Sequence, residues 1–298
     1  MVKLGESMFD IVDTIGNTFY YSAFSNVGVY KLNKSEVLLI DSCDHKRMVR
    51  SLDNILENNN LRINTIINTH CHVDHIAGNK FFYDKYGCRI LASKGEQGFI
   101  AYPDREPRFY YSGINTDKTR NPFFMAEASD AEVITPDNTP EGFEIISLPG
   151  HSFDMIGVRT PDDVVFLSDS ILSKKTWDEY KLPFFYSVNE SLQTLKDIQN
   201  IKAKLFVPAH NEPLKDICEL AEYNINSMKH KKELIYDLCQ NKSFEEIFSD
   251  VIDALGLRII TPKYPMYAVI IRNFLQSLVE DEAIYAELSD SVLVYRRV

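Results

Sequence analysis

At 298 residues, 45% apolar and 25% charged, the chain is long enough for one large core or two domains, and the disordered and fibrous classes are excluded. Lys and Arg number 32 against 43 Asp and Glu, a formal charge of −11, which argues against a general role on nucleic acid, since phosphate binding needs a positive surface. Five cysteines with no C-x-x-C pair argue against a disulfide framework or a structural zinc knuckle and for a reducing compartment.

In chain order, the segment 1–16 carries Glu6, Asp10 and Asp13 where a secretion signal needs a basic start and an apolar run. No apolar stretch approaches the roughly 20 residues of a membrane span, so a cytoplasmic protein that does not engage the membrane is expected. From Val27 short strands are readable at 27–32 and 36–40 around a polar turn, followed by a helix over 46–57, a strand over 64–68, a helix over 77–86 and a strand over 89–92. Further strands are expected at 143–148, 154–159, 164–167 and 204–207. Hairpins mixed with strand–helix alternation predict an α/β fold, sheets covered by helices.

Two regions break this rhythm. Between Phe99 and Phe124 lie seven aromatics and three prolines without a clean period, a composition expected of an irregular lid or surface insertion. After Asn211 the pattern turns helical, with helices expected over 218–239, 243–255 and 265–279 and a closing hairpin over 283–296. Three helices and a hairpin outline a winged helix, so a catalytic domain over 1–212 and a winged-helix-like domain over 213–298 are expected. From Asn211 on, 10 Lys or Arg stand against 15 Asp or Glu, a net −5, so this module is expected to cap the site or form a homodimer rather than read DNA.

The chemistry concentrates in His70-Cys71-His72-Val73-Asp74-His75, three imidazoles and a carboxylate within six residues. Without a cation among them these groups would form an uncompensated cluster, and imidazole plus carboxylate is the ligand set of zinc and its borderline neighbours. Asp41, His70, His151, Asp169 and His210 each follow the carboxyl end of a predicted strand, the edge where separate segments of an α/β sheet build one ligand site. Cys71, between two candidate ligands, is expected to point away from them and to be a buried thiol. His45 and His230 are expected at the surface, and Trp177 as a packing anchor.

His70-x-His72-x-Asp74-His75, Pro149-Gly150-His151-Ser152, Ser168-Asp169-Ser170 and Pro208-Ala209-His210 resemble, in order and spacing, the metal-binding motifs of the metallo-β-lactamase superfamily. The resemblance runs from Asp41 to His210 and implies a four-layer αβ/βα sandwich with a dinuclear site at one edge. It assigns His70, His72 and His151 to one metal, Asp74, His75 and His210 to the other, and Asp169 to both, with Asp41 holding a ligand loop or orienting a histidine. The cofactor it implies is two zinc ions, with iron or manganese as other candidates.

Within the superfamily, His72 stands where the flavodiiron branch has Glu, and the pattern is similar to glyoxalase II-like thioesterases, lactonases and the winged hydrolases that include β-lactamase-like protein 2. The implied activity is hydrolysis of a small cytoplasmic ester, thioester or lactone by a hydroxide formed on the metals, with Asp74 also steering the proton. Tyr110, Tyr111, Tyr186 and Tyr264 are candidate oxyanion donors, and Tyr264, Tyr267 and Arg272 candidate pocket residues of the terminal module. The alternatives are a mononuclear-iron persulfide dioxygenase-like enzyme, since that branch keeps the same motif residues, and an RNA- or phosphodiester-processing metallo-hydrolase.

Overall fold

A computed structural model describes residues 11–110, 125–260 and 263–298. Runs of Val, Ile and Leu bounded by turns become strands of two sheets. In the first, β1 (Ile11–Ile15), β2 (Thr18–Tyr21), β3 (Val27–Lys31) and β4 (Glu36–Ile40) form an antiparallel meander. Helix α1 (Lys46–Asn58) then crosses to β5 (Arg62–Ile67), parallel to β4. A short turn of helix, α2 (Val73–Ile76), and α3 (Asn79–Tyr86) lead to β6 (Arg89–Ala92), and α4 (Lys94–Ala101) and α5 (Arg105–Tyr110) precede β7 (Glu132–Val133). The seven strands lie side by side in chain order.

The second sheet is β8 (Glu144–Ser147), β9 (Ile156–Arg159), β10 (Val164–Ser168) and β11 (Leu205–Pro208), in the order β11-β10-β9-β8. Between β10 and β11 run α6 (Lys174–Tyr180) and α7 (Val188–Asp197), their first turns capped by the Ser173 and Ser187 hydroxyls. Thereafter come α8 (Cys218–Leu238), β12 (Lys242–Ser243), α9 (Phe244–Ala254), α10 (Tyr264–Glu280), β13 (Ile284–Ser289) and β14 (Val292–Arg297). The last hairpin and β12 form a third, three-stranded sheet.

Three apolar cores give the layers. Leu38, Ile40 and Ile67 of the first sheet meet Val158, Val164 and Phe166 of the second. On its other face the first sheet packs Leu39, Ile63 and Ile66 against Leu52, Leu56 and Phe82 of its helices. The second sheet turns Val165, Leu167 and Phe206 toward a core that continues through Met228, Ile247 and Phe274 of α8, α9 and α10. Helix, sheet, sheet and helix follow in that order, the four-layer arrangement expected.

The structure adds elements the sequence reading passes over. Strands β1 and β2 precede Val27, although Gly16-Asn17 between two β-rich runs is a hairpin signal. The stretch expected to be irregular from Phe99 is helical over α4 and α5 as far as Tyr110; the remainder, 111–124, lies outside the described residues. Pro107 does not break α5 because it falls in the first turn, whose N–H groups have no helical partner anyway. The helix expected over 77–86 is α3, Asn79–Tyr86, and the short turn α2 precedes it. Among the described residues no helix is long and apolar enough to cross a membrane.

Candidate metal centre

The predicted ligands come from strand ends. His70 to His75 follow β5, His151 follows β8, Asp169 follows β10 and His210 follows β11. Two positions at these ends take left-handed backbone, Asp41 (φ 65°) and Ser168 (φ 52°), sharp exits that sparsely populated conformations allow where the surrounding structure holds them. Seven side chains converge. His70, His72, His151 and Asp169 form one group and Asp74, His75, Asp169 and His210 a second, the donor atoms of each lying within 4.8 Å of one another.

The imidazole–carboxylate distances within the groups suit a cation better than hydrogen bonds. Asp169 Oδ2 lies 3.3 Å from His151 Nε2, 3.6 Å from His75 Nε2 and 3.9 Å from His70 Nε2, while Asp169 Oδ1 lies 3.3 Å from His210 Nε2. Asp74 Oδ2 is 3.3 Å from His210 Nε2 and 3.5 Å from His75 Nε2. Tetrahedral ligands at about 2.0–2.1 Å from a zinc ion stand about 3.3 Å apart. Among the described residues, the buried atoms His70 Nε2, His75 Nε2 and Asp169 Oδ1 have no hydrogen-bond partner. Buried polar atoms are nearly always satisfied, so these three call for a ligand, and the donor set fits a divalent metal.

Protonation follows the same geometry. Burial holds His70 well below the usual imidazole range and pulls His72 and His151 down to about 4, leaving their lone pairs available. Burial also disfavours charge on His75 and His210, but the carboxylates outweigh it: Asp74, Asp41 and Asp169 raise His75, and Asp169 and Asp74 raise His210 to about 10. Burial pushes Asp74 and Asp169 upward and loses to the neighbouring imidazoles, so Asp74 falls to about 2 and Asp169 well below its ordinary value. The field that draws protons to His75 and His210 also draws a cation.

The outer hydrogen bonds orient the rings. His75 Nδ1 donates to Asp41 Oδ2 at 2.8 Å, and Asp41 also accepts from the Thr69 N–H and hydroxyl at 2.8 Å each. His210 Nδ1 donates to the Phe24 carbonyl at 2.7 Å, and His70 Nδ1 lies 3.2 Å from both the Thr69 and Ser168 hydroxyls. Sequence reading missed Glu96, wholly buried in α4, which accepts from Cys71 N at 3.0 Å and Asp154 N at 2.8 Å and so ties the loop after β5 to the loop after β8. It also missed Glu106 of α5, buried 3.8 Å from His72 Nε2, its carboxyl raised by burial and by Asp74 and Glu96. A carboxylate brought in from a separate helix leaves no local signal; its placement is tertiary.

Other candidates sort plainly. Cys71 is buried with its thiol pushed up by burial and stands in neither ligand group. Trp177 is buried and donates to Asn224 Oδ1 at 2.8 Å, an anchor. His230 is exposed, and His45 lies at the rim beside Asp44. Tyr267 lines the cavity above the ligands together with Tyr180, which the sequence reading did not single out. Tyr264 packs at a tilt against Phe248 and Arg272 lies over the Phe244 ring, and neither is among the lining residues. Tyr186 is not among the lining residues, Tyr111 lies outside the described residues, and so does the side chain of Tyr110.

The chain is similar to several known proteins. It is 26% identical over 209 residues to the beta-lactamase-like protein 2 homolog of Drosophila melanogaster, covering 67% of this chain and 63% of that one. It is 27% identical over 150 residues to a hydroxyacylglutathione hydrolase of Prochlorococcus marinus, covering 49% and 50%. The chain thus spans less than two thirds of these curated relatives. A solved beta-lactamase domain protein from Burkholderia ambifaria superposes with a TM-score of 0.72 at 14% identity, covering 97% of this chain and 94% of that one, which shows a shared fold. Residues 22–210, the span that carries every proposed ligand, match the family model of the metallo-beta-lactamase superfamily, and the chain belongs to that superfamily.

Proposed function

We propose that this metal-dependent hydrolase binds two divalent cations, zinc first among them, and cleaves a small ester, thioester or lactone. The observation that carries the reading is the pair of ligand groups sharing Asp169 at the floor of a cavity of about 1190 Å³. His70, His72 and His151 would hold one ion, Asp74, His75 and His210 the other, and Asp169 both. Cations held by these residues would supply an acidified water and a Lewis acid for the scissile carbonyl.

The chain's own residues do the rest. Asp41, by accepting from His75 Nδ1, leaves Nε2 as the donor atom, and the Phe24 carbonyl does the same for His210. Asp74 keeps part of its carboxylate exposed to the cavity, and with Oδ2 turned to His75 and His210 its other oxygen would take the proton from the attacking water and return it to the leaving group. The net −5 from Asn211 onward supports a small-molecule substrate over nucleic acid. The hydrolase names of the Prochlorococcus relatives support the reaction class.

Protein stripped with chelator and reloaded with zinc is expected to hold close to two equivalents and to hydrolyse p-nitrophenyl esters. His72→Ala and Asp169→Ala are expected to abolish turnover with an unchanged circular dichroism spectrum. Failure to take up metal, or undiminished turnover in both variants, overturns the reading. Oxygen uptake with a persulfide and a single bound iron would replace it with the dioxygenase alternative.

A further inference from the structure

We propose that the substrate is an uncharged ester or thioester with an apolar acyl group, seated against the apolar wall that the loop after α6 and helix α10 form together; this rests on the hydrolase reading above. The cavity over the ligands, about 1190 Å³, exceeds the roughly 300–1,000 Å³ typical of small-molecule sites and is far more than a two-carbon acyl group fills. One wall is Leu182, Pro183 and Phe184. Joined to it in one apolar cluster are Met266, Tyr267 and Ile270 of α10, spaced to share one helix face. Met266 adds an unbranched thioether that adapts to chains of different length.

Charge around the mouth points the same way. Two Lys side chains and no Arg line the cavity among the described residues, Lys174 and Lys175, and each stands beside a carboxylate: Lys174 Nζ lies 2.9 Å from Glu219 and Lys175 Nζ 3.6 Å from Glu179. Glu212 and Asp216 add further carboxylates to the lining. A glutathione carrier, with two carboxylates of its own, or a phosphodiester meets more carboxylates than ammonium groups among the described residues at the mouth, where each lysine already has a carboxylate beside it. Against the wall of Leu182–Phe184 and Met266–Ile270, an apolar acyl group meets hydrocarbon, aromatic rings and a thioether.

The test uses the full chain loaded with zinc and three probes: p-nitrophenyl acetate, butyrate and octanoate as a series, S-lactoylglutathione, and bis(p-nitrophenyl) phosphate. Burying a methylene predicts a rise in kcat/KM of about fourfold for each carbon added. Octanoate is expected to exceed S-lactoylglutathione by at least about tenfold, with the phosphodiester slowest. Ile270→Trp, or Met266→Trp at a less buried position if the first fails to fold, is expected to lower the octanoate-to-acetate ratio of kcat/KM by about tenfold. Calorimetry with 2-decanone, which is not hydrolysed, is expected to show binding with a negative heat-capacity change. A flat chain-length series with S-lactoylglutathione preferred overturns this inference and leaves the hydrolase reading standing. No turnover of any probe overturns that reading and this inference with it.

Discussion

The histidines of the two ligand groups differ in what binding a cation costs them. His72 and His151, held at about 4 by burial, carry no proton to displace at neutral pH, and His70 lies well below its usual range. His210, raised to about 10 chiefly by Asp169 once burial is overcome, and His75, raised by Asp74, Asp41 and Asp169, must each release a proton. The sign follows: a proton competes with the cation at any pH below a raised pKa, so affinity at the Asp74, His75 and His210 group climbs with pH. Zinc titrations at pH 6, 7 and 8 are expected to give one phase nearly independent of pH and a second that tightens at least about tenfold per unit, with proton release confined to the second. Two phases of equal pH dependence would refute the assignment. Glu96 belongs to this scale too, since one carboxylate fixes the backbone of both histidine loops through Cys71 and Asp154.

At the scale of elements, the loop from β8 to β9 positions His151 through a close approach that only glycine permits. Gly150 has φ of 122°, and a Cβ built there would stand 2.3 Å from the Ser191 N and 2.4 Å from its hydroxyl in α7. Gly150→Ala therefore forces either α7 or His151 to move. It is expected to cost about 3 kcal/mol or more in urea unfolding and to lower zinc affinity at the His151 group, read by competition with a chromogenic chelator. Neither effect in a well-folded variant would show that the loop relaxes freely. Element reading from sequence was strongest where the apolar pattern is plain: α1 has a one-sided apolar face, β4 and β6 are short apolar runs buried on both sides, and all three lie at the positions expected. It was weakest at α6 and α7, short helices whose serine caps were the available signal.

For the whole molecule, the decisive fact is that the terminal helices share the core of the second sheet. Val165, Leu167 and Phe206 belong to one apolar cluster with Met228, Ile247, Ile271 and Phe274. Lys232 in α8, mostly buried, binds Asn189 of α7 at 2.8 Å and Asp281 at 2.7 Å, tying α7 to the end of α10. Cutting into that core should therefore be felt across the chain. Phe274→Ala is expected to cost about 3–5 kcal/mol, to keep a single unfolding transition and to speed loss of bound zinc to a chelator. Two separate transitions, with metal retained through the first, would mean that residues 213–298 unfold on their own.

The sequence by itself determined the ligand chemistry, because His70-x-His72-x-Asp74-His75 is local and the partners His151, Asp169 and His210 each sit at a readable strand end. It also determined the alternation of strands and helices and the helical end of the chain, since periodicity records which face is buried. The resemblance already divided the candidate ligands into two groups with Asp169 common to both; only the tertiary structure decided how closely they converge and which side chains support them. Glu96, Glu106, Ser168 and the Phe24 carbonyl reach the site from segments that chain order does not bring together. The cavity was likewise a tertiary matter: its apolar wall joins Leu182–Phe184 to Met266–Ile270, and such a surface exists only once α10 has packed against the second sheet's helices.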